Sequence, residues 1–295
     1  MVAVLFAALS GISYGASDFA GAYATKKADA ALITAAVQIV SLLSLVVILV
    51  ALSPGQLVTT DLWWGALGGL GAALGLSTFY RALAIGPMST AASMTALVSA
   101  LVPILAGLAL GEVPGTITLI GVAVSIPAGL LVSIGGAPVR LVSPDLGPRD
   151  RVASQTDAGT TRLLSVLAGL GFGLFFVALS RTSDDGGLFP LIGARVASIT
   201  VLSVIITVRG VWAAIERRHW LVIAIAGILD CGANSFYLLA LDSGSFTWVA
   251  AISSLYPVST VILARVVLKE RITRIQGFGL GLAGGALTLV TIGAT

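Results

Sequence analysis

The sequence predicts an all-α integral membrane protein with ten transmembrane helices, arranged as two inverted five-helix repeats. Three observations carry that expectation. First, 57% of the 295 residues are hydrophobic and only 10% are charged, with a mean hydropathy of +1.06, far from the balance of a soluble domain. Second, the apolar residues form ten continuous runs, each close to the roughly 20 residues that a helix needs to cross a bilayer. Third, residues 78–112 are written again at 236–270. At an offset of 158 with no gap, Ala82 falls on Ala240, Leu83 on Leu241, Gly86 on Gly244, Leu97 on Leu255 and Glu112 on Glu270. The offset continues outside that stretch, pairing Gly11 with Gly169, Gly15 with Gly173, Gly69 with Gly227 and Gly121 with Gly279. A period this long marks a duplicated half-protein, not a solenoid unit. Five crossings per copy is an odd number, so the second copy enters the membrane upside down.

Continuous runs, and not ten-residue alternation, decide for helices over a barrel, because hydrocarbon offers the backbone no other partners. The first run, 2–23, lacks a basic start, and its Gly11 and Gly15 recur in the second copy, so it is expected to be retained and not cleaved. Runs at 30–52 and 62–82 follow, the latter dense in glycines spaced by four (Gly65/Gly69, Gly71/Gly75). Such spacing lets membrane helices approach closely. The fourth run, 88–110, stops at Gly111-Glu112, and the fifth is 116–135. A polar linker, 137–158, separates a first repeat at 1–136 from a second at 159–295. The second repeat supplies runs at 162–181, 188–209, 219–241, 245–268 and 273–293. In the ninth, Pro257 has no N–H for the Ser253 carbonyl and should kink the helix.

Composition excludes several classes. The net charge of +3 comes from basic residues in gaps between apolar runs, which is membrane-flanking charge and no sign of a nucleic-acid partner. Cys231 and His219 are single, so no disulfide, Cys-His pair or multi-histidine metal site is expected. The run 279–284 matches a dinucleotide GxGxxG pattern, but no strand precedes it. No phosphate loop is present and no cofactor, metal or catalytic residue is expected, so the chain is not read as an enzyme.

Polar groups inside the membrane are costly enough to point to function. Asp230, Asn234 and Tyr237 share one face of the eighth run, by their i, i+4, i+7 spacing. Tyr14 and Ser17 form a similar stripe in the first run, with Asp18 at its edge. Gln38, Arg195 and Tyr256 add polar groups from the second, seventh and ninth runs. These nine residues are the candidate substrate-binding set, lining a midplane cavity between the copies. Structural alternatives stay open: Asp230 and Arg195 as a buried ion pair, Asp18 as a solvated helix-end acid, and the tyrosines as packing residues. Glu112 and Glu270 each stand ahead of a following helix, whose N-terminal dipole would stabilise a carboxylate.

The pattern near the end of each unit resembles the EamA-type domain of the drug/metabolite transporter superfamily. The first copy supplies Ala82-Leu83, Gly86-Pro87 and Gly111-Glu112; the second supplies Ala240-Leu241, Gly244, Pro257-Val258 and Glu270. Gly15 and Gly173 match a glycine of the family's first helix, and Arg195 stands where members often carry an arginine. Ser99, Ser245 and Lys269 depart from the pattern. The resemblance implies a secondary carrier for small metabolites, often an exporter.

The expectation is therefore a non-ATP transporter that exports a small polar metabolite or amino acid by alternating access. Alternatives are a gradient-coupled exporter of lipophilic cations and, in another class, a non-transporting membrane protein or membrane-embedded enzyme. Its partners would be a small-molecule substrate and the lipid bilayer of the plasma membrane, with the chain a monomer or homodimer. Thirteen of the 16 Lys and Arg lie in the gaps after runs one, three, five, seven and nine or at the run ends bordering them. Basic loops mark the cytoplasmic side, which places both termini outside the cytoplasm; the resemblance implies the opposite orientation.

Overall fold

The computed structural model describes residues 2–25, 29–52, 55–85, 88–112, 114–134, 148–213, 215–242, 244–267 and 273–293. Among them the regular structure is entirely helical: α1 (Val2–Thr25), α2 (Ala30–Leu52), α3 (Thr59–Ile85), α4 (Met88–Ala109), α5 (Thr116–Ile134), α6 (Pro148–Leu179), α7 (Pro190–Arg209), α8 (Trp220–Leu241), α9 (Phe246–Ser253), α10 (Tyr256–Val267) and α11 (Arg274–Gly293). Seven of these (α1, α2, α3, α6, α7, α8 and α11) are long and apolar enough to cross a membrane. In α4 and α5 the apolar stretches are shorter, Met94–Ala109 and Thr116–Leu131.

The ninth run is two helices, not one kinked helix. A turn at Ser254-Leu255 separates α9 from α10, and tight bonds bridge it: the Leu255 N–H donates to the Ile252 carbonyl (3.0 Å) and the Val258 N–H to the Leu255 carbonyl (2.9 Å). Pro257 cannot donate to the Ser253 carbonyl, which removes the bond that would have carried the helix through. The first copy has Ser99 at the equivalent place, and α4 runs unbroken.

The span 137–158 also differs from expectation. Residues 135–147 lie outside the described residues, but α6 begins at Pro148, so the last part of the expected linker is helix. Proline suits the first helical position, where its missing N–H is no loss, and Arg149, Arg151, Ala153 and Gln155 are good helix formers.

Packing is mainly between the two halves of the sequence. The closest neighbours of α1 are α8, α9 and α10; those of α6 are α3 and α4; α2 lies on α7, and α5 on α11. These contacts are close because glycine faces them. A Cβ on Gly15 would lie 2.2 Å from the Tyr256 carbonyl oxygen, and one on Gly173 would lie 2.5 Å from Val102 Cβ. The glycines spaced by four in α3 pack within the chain as well: Gly65 and Gly69 against α7, Gly71 and Gly75 against α6. Gly277 and Gly281 of α11 meet nothing within 4 Å.

α8 runs antiparallel to α1, with the Ser17 hydroxyl donating to the Ala226 carbonyl (2.9 Å) and the Tyr14 hydroxyl to Asn234 Oδ1 (2.7 Å). The segments after α2, α4, α6 and α8 consequently meet at one end of the bundle. There the Gln56 N–H donates to the Asp185 carbonyl (2.7 Å), and the Ser183 N–H (3.2 Å) and hydroxyl (2.5 Å) donate to Asp61. At the opposite end Arg209 pairs with Asp29 at 3.2 Å.

Candidate functional site

Arg195 is the centre of the site. Its position within α7, a helix long and apolar enough to cross a membrane, leaves it 2% exposed. A charge so placed needs partners, and two helices supply them. Asp230 of α8 brings Oδ2 to 2.7 Å from Arg195 Nη2, and Arg195 Nη1 donates to Gln38 Oε1 of α2, also at 2.7 Å. The network continues along α8, where Asn234 Nδ2 donates to the Asp230 carbonyl (2.6 Å) and more weakly to Asp230 Oδ1 (3.3 Å). Tyr14 of α1 closes it by donating to Asn234 Oδ1. The i, i+4 spacing of Asp230 and Asn234 makes this possible, since both side chains leave the same face of α8.

These groups border a cavity of about 40 Å³, lined by Tyr14, Asp18, Gln38, Arg195, Asp230, Asn234 and Tyr256 together with Ala72, Leu76, Phe172, Phe175 and Phe176. A single water needs only about 10–15 Å³ of such space, so the cavity holds a few atoms and must widen to admit a metabolite. Seven of the nine candidate residues thus come together at one place. Two do not line it: Ser17 is buried against the Ala226 carbonyl, and Tyr237 packs on Phe176 with ring centroids 4.6 Å apart and its hydroxyl 3.4 Å from the Phe176 carbonyl. Sequence reasoning missed the apolar wall. Phe172, Phe175 and Phe176 recur at i, i+3, i+4, a spacing that marks one face of α6.

A second, polar recess of about 170 Å³ opens at the end of the bundle where the segments after α2, α4, α6 and α8 meet, bordered by Glu112, Ser180, Ser183, Asp184, Asp242 and Phe246 among others. Leu179, three residues beyond Phe176, and Leu238, directly after Tyr237, border this recess. Phe176, which borders the central cavity, thus lies about one helical turn from a residue of the recess.

Glu112 does something the sequence did not indicate. Among the described residues its carboxylate has no hydrogen bond to the helix that follows it. It accepts from the N-terminus of α9 in the other half: the Phe246 N–H (3.0 Å), the Thr247 N–H (2.8 Å) and the Thr247 hydroxyl (2.6 Å). The helix-dipole argument holds, but the dipole belongs to a different helix, brought in by tertiary packing. Gly111 has φ +90°, a conformation suited to glycine, and so turns the chain out of α4 to deliver the carboxylate.

The sequence model of the EamA-like transporter family matches the chain twice, over residues 1–134 and 160–292. The chain belongs to the EamA-like transporter family. A solved crystal structure, described only as a protein, is similar to it with a TM-score of 0.75 at 16% identity, covering 98% of each chain. At that identity the likeness shows the fold alone. No curated protein matches.

As an EamA-like protein the chain is a multi-pass membrane protein of a transporter family, and its recurring motif residues can be placed. Gly15 and Gly173 make the close crossings of α1 on α10 and α6 on α4, and a Cβ on Gly244 would meet the Trp248 ring at 2.5 Å. Pro257 lies in the first turn of α10, just after the break. Gly86, Pro87 and Glu270 lie outside the described residues.

Proposed function

We infer that this chain is a secondary transporter that moves a small polar metabolite, amino acids included, outward across the plasma membrane by alternating access. The observation that carries the reading is the buried network Tyr14–Asn234–Asp230–Arg195–Gln38. It takes two helices from each half of the chain and borders a cavity between them. Ionisable groups inside a membrane bundle mark substrate or ion pathways, and transporters of duplicated design bind at the interface of their repeats.

The ten-crossing, inverted-repeat arrangement is part of this proposal. Its support is the exchange of packing partners under the 158-residue shift. That shift carries α1 on α8 into α6 on α3, and α1 on α9 and α10 into α6 on α4; it leaves α2 on α7 and α5 on α11 unchanged. A two-fold relation between halves with an odd number of crossings lies in the membrane plane. α9 and α10 count together as one crossing, broken beside Tyr256 in the manner of discontinuous helices at transport sites. On this reading the chain works as a monomer or homodimer, transforms nothing, and draws on a gradient or on exchange instead of ATP.

A second reading, the export of lipophilic cations, is favoured by one observation: Asp18 borders the cavity beside three phenylalanines. Reconstitution into proteoliposomes tests both. Flux of labelled amino acids, small polar metabolites and organic cations is followed with and without a pH gradient, and in the absence of ATP. Flux of at least one class above protein-free vesicles, lost in Asp230→Asn, is the expected result. No flux for any class would reject the transport reading.

A further inference from the structure

Among the described residues that border the cavity, the Tyr256 hydroxyl is unpartnered and can either donate or accept; two further unmet requirements together specify a ligand. The first is charge. Arg195 and Asp230 cancel each other at 2.7 Å. Asp18 borders the same cavity and has no ion pair among the described residues. With Asp18 ionised, the cavity holds one uncompensated negative charge, which a low-dielectric site does not tolerate without a partner.

The second requirement is a hydrogen-bond acceptor. Arginine can only donate, so Gln38 must turn its amide oxygen to Arg195 Nη1, which it does at 2.7 Å. This fixes the orientation of the amide and commits its NH₂ group to the other direction. Among the described residues that nitrogen has no partner, although Gln38 is fully buried and borders the cavity. An unmet buried donor carries its full desolvation cost. Gln38 therefore offers a donor to whatever occupies the cavity.

We propose that the site selects an organic ammonium of net charge +1 that also carries a neutral acceptor such as an amide, ester or hydroxyl. Asp18 pairs with the ammonium, Gln38 Nε2 donates to the acceptor, and Phe172, Phe175 and Phe176 cover the apolar part. Aromatic faces also favour a cation near them. A ligand carboxylate is selected against: among the described residues the only cation bordering the cavity is already held by Asp230, and the new charge would face Asp18 and Asp230 together. The proposal rests on the transport reading and narrows it, placing amino-acid amides and similar amines ahead of free amino acids.

The test uses three ligands of similar size and different charge: leucinamide, leucine and N-acetylleucine. Binding to the detergent-purified full chain is measured by calorimetry at neutral pH, where an α-amine is still largely protonated and Asp18 can ionise. Leucinamide is expected to bind at least about tenfold more tightly than leucine, and N-acetylleucine not to bind measurably. Asp18→Asn should weaken leucinamide binding by at least about tenfold and abolish the preference, while Asp18→Glu retains it. Leucine binding as tightly as leucinamide, measurable N-acetylleucine binding, no binding of leucinamide, or an unchanged preference in Asp18→Asn would each overturn the proposal. Binding with the predicted preference but no flux of leucinamide in proteoliposomes would refute the transport reading and leave the charge selection standing.

Discussion

Asparagine at position 230 is nearly the same shape as aspartate, and Asn234 can still donate to the Asp230 side-chain oxygen position, so the substitution isolates the charge. At the observed 2.7 Å and an effective dielectric constant near 20, the attraction between Arg195 and Asp230 is about 6 kcal/mol. Part of it is returned, because the carboxylate no longer has to be desolvated. What remains is a guanidinium 2% exposed without its counter-charge, and the net loss of stability should be about 3–5 kcal/mol. Arg195→Met should cost a similar amount, since it strands Asp230. The double variant Arg195→Met/Asp230→Asn removes both charges and leaves mainly Gln38 Oε1 without its donor, a loss of about 1–3 kcal/mol. The three variants form a cycle, read by equilibrium unfolding in mixed detergent micelles, with a coupling of at least about 3 kcal/mol. If the double variant instead loses the sum of the two single losses to within about 0.5 kcal/mol, the two residues do not interact and the argument fails. Proteoliposome flux on Asp230→Asn then asks whether the pair also serves transport.

Five further outcomes follow from the packing and the ends of the bundle. Gly15→Ala puts a Cβ 2.2 Å from the Tyr256 carbonyl oxygen and should lower stability by about 1–3 kcal/mol. Gly277→Ala meets nothing within 4 Å and should be neutral or stabilising by up to about 1 kcal/mol on thermal melting. Glu112→Ala withdraws the acceptor of three hydrogen bonds at the start of α9 and should cost about 2 kcal/mol or more; a melting curve like that of wild type would remove its structural role. Burial first, and the Asp184 carboxylate second, raise the Asp242 carboxyl above its ordinary range. The folded chain thus holds that proton more tightly than the unfolded one. Its contribution to stability is present below the unfolded pKa and is lost as pH rises through the folded value. Asp242→Asn should flatten that part of the stability–pH curve; an unchanged slope would contradict the assignment. Finally, a fluorescent protein that matures only in the cytoplasm, fused after Thr295, should stay dark if the basic gaps mark the cytoplasmic side; bright cells would reverse the orientation.

The sequence by itself determined the membrane class, the family and the duplication. Each rests on information that survives without coordinates: apolar runs long enough to span, and a motif repeated at a fixed offset. Within single helices it also placed side chains correctly, because helical spacing alone puts Asp230 and Asn234 on one face. The break in the ninth run was legible from Pro257, though not that α9 and α10 would separate completely. Everything that depends on which helices touch required the tertiary structure. Whether Asp230 meets Arg195 is decided by α7 packing beside α8, and whether Gln38 retains a free donor by which of its ends faces α7. The same holds for the residues that sequence periodicity misplaced. Ser17 and Tyr237 share stripes with true cavity residues, yet they turn into helix–helix contacts, while Phe172, Phe175 and Phe176 form the wall. Glu112 is the sharpest instance: its charge and its place at a helix end could be read directly, but the helix it stabilises lies 134 residues away. A carboxylate takes the nearest unsatisfied N–H groups in space, and chain order does not say which those are.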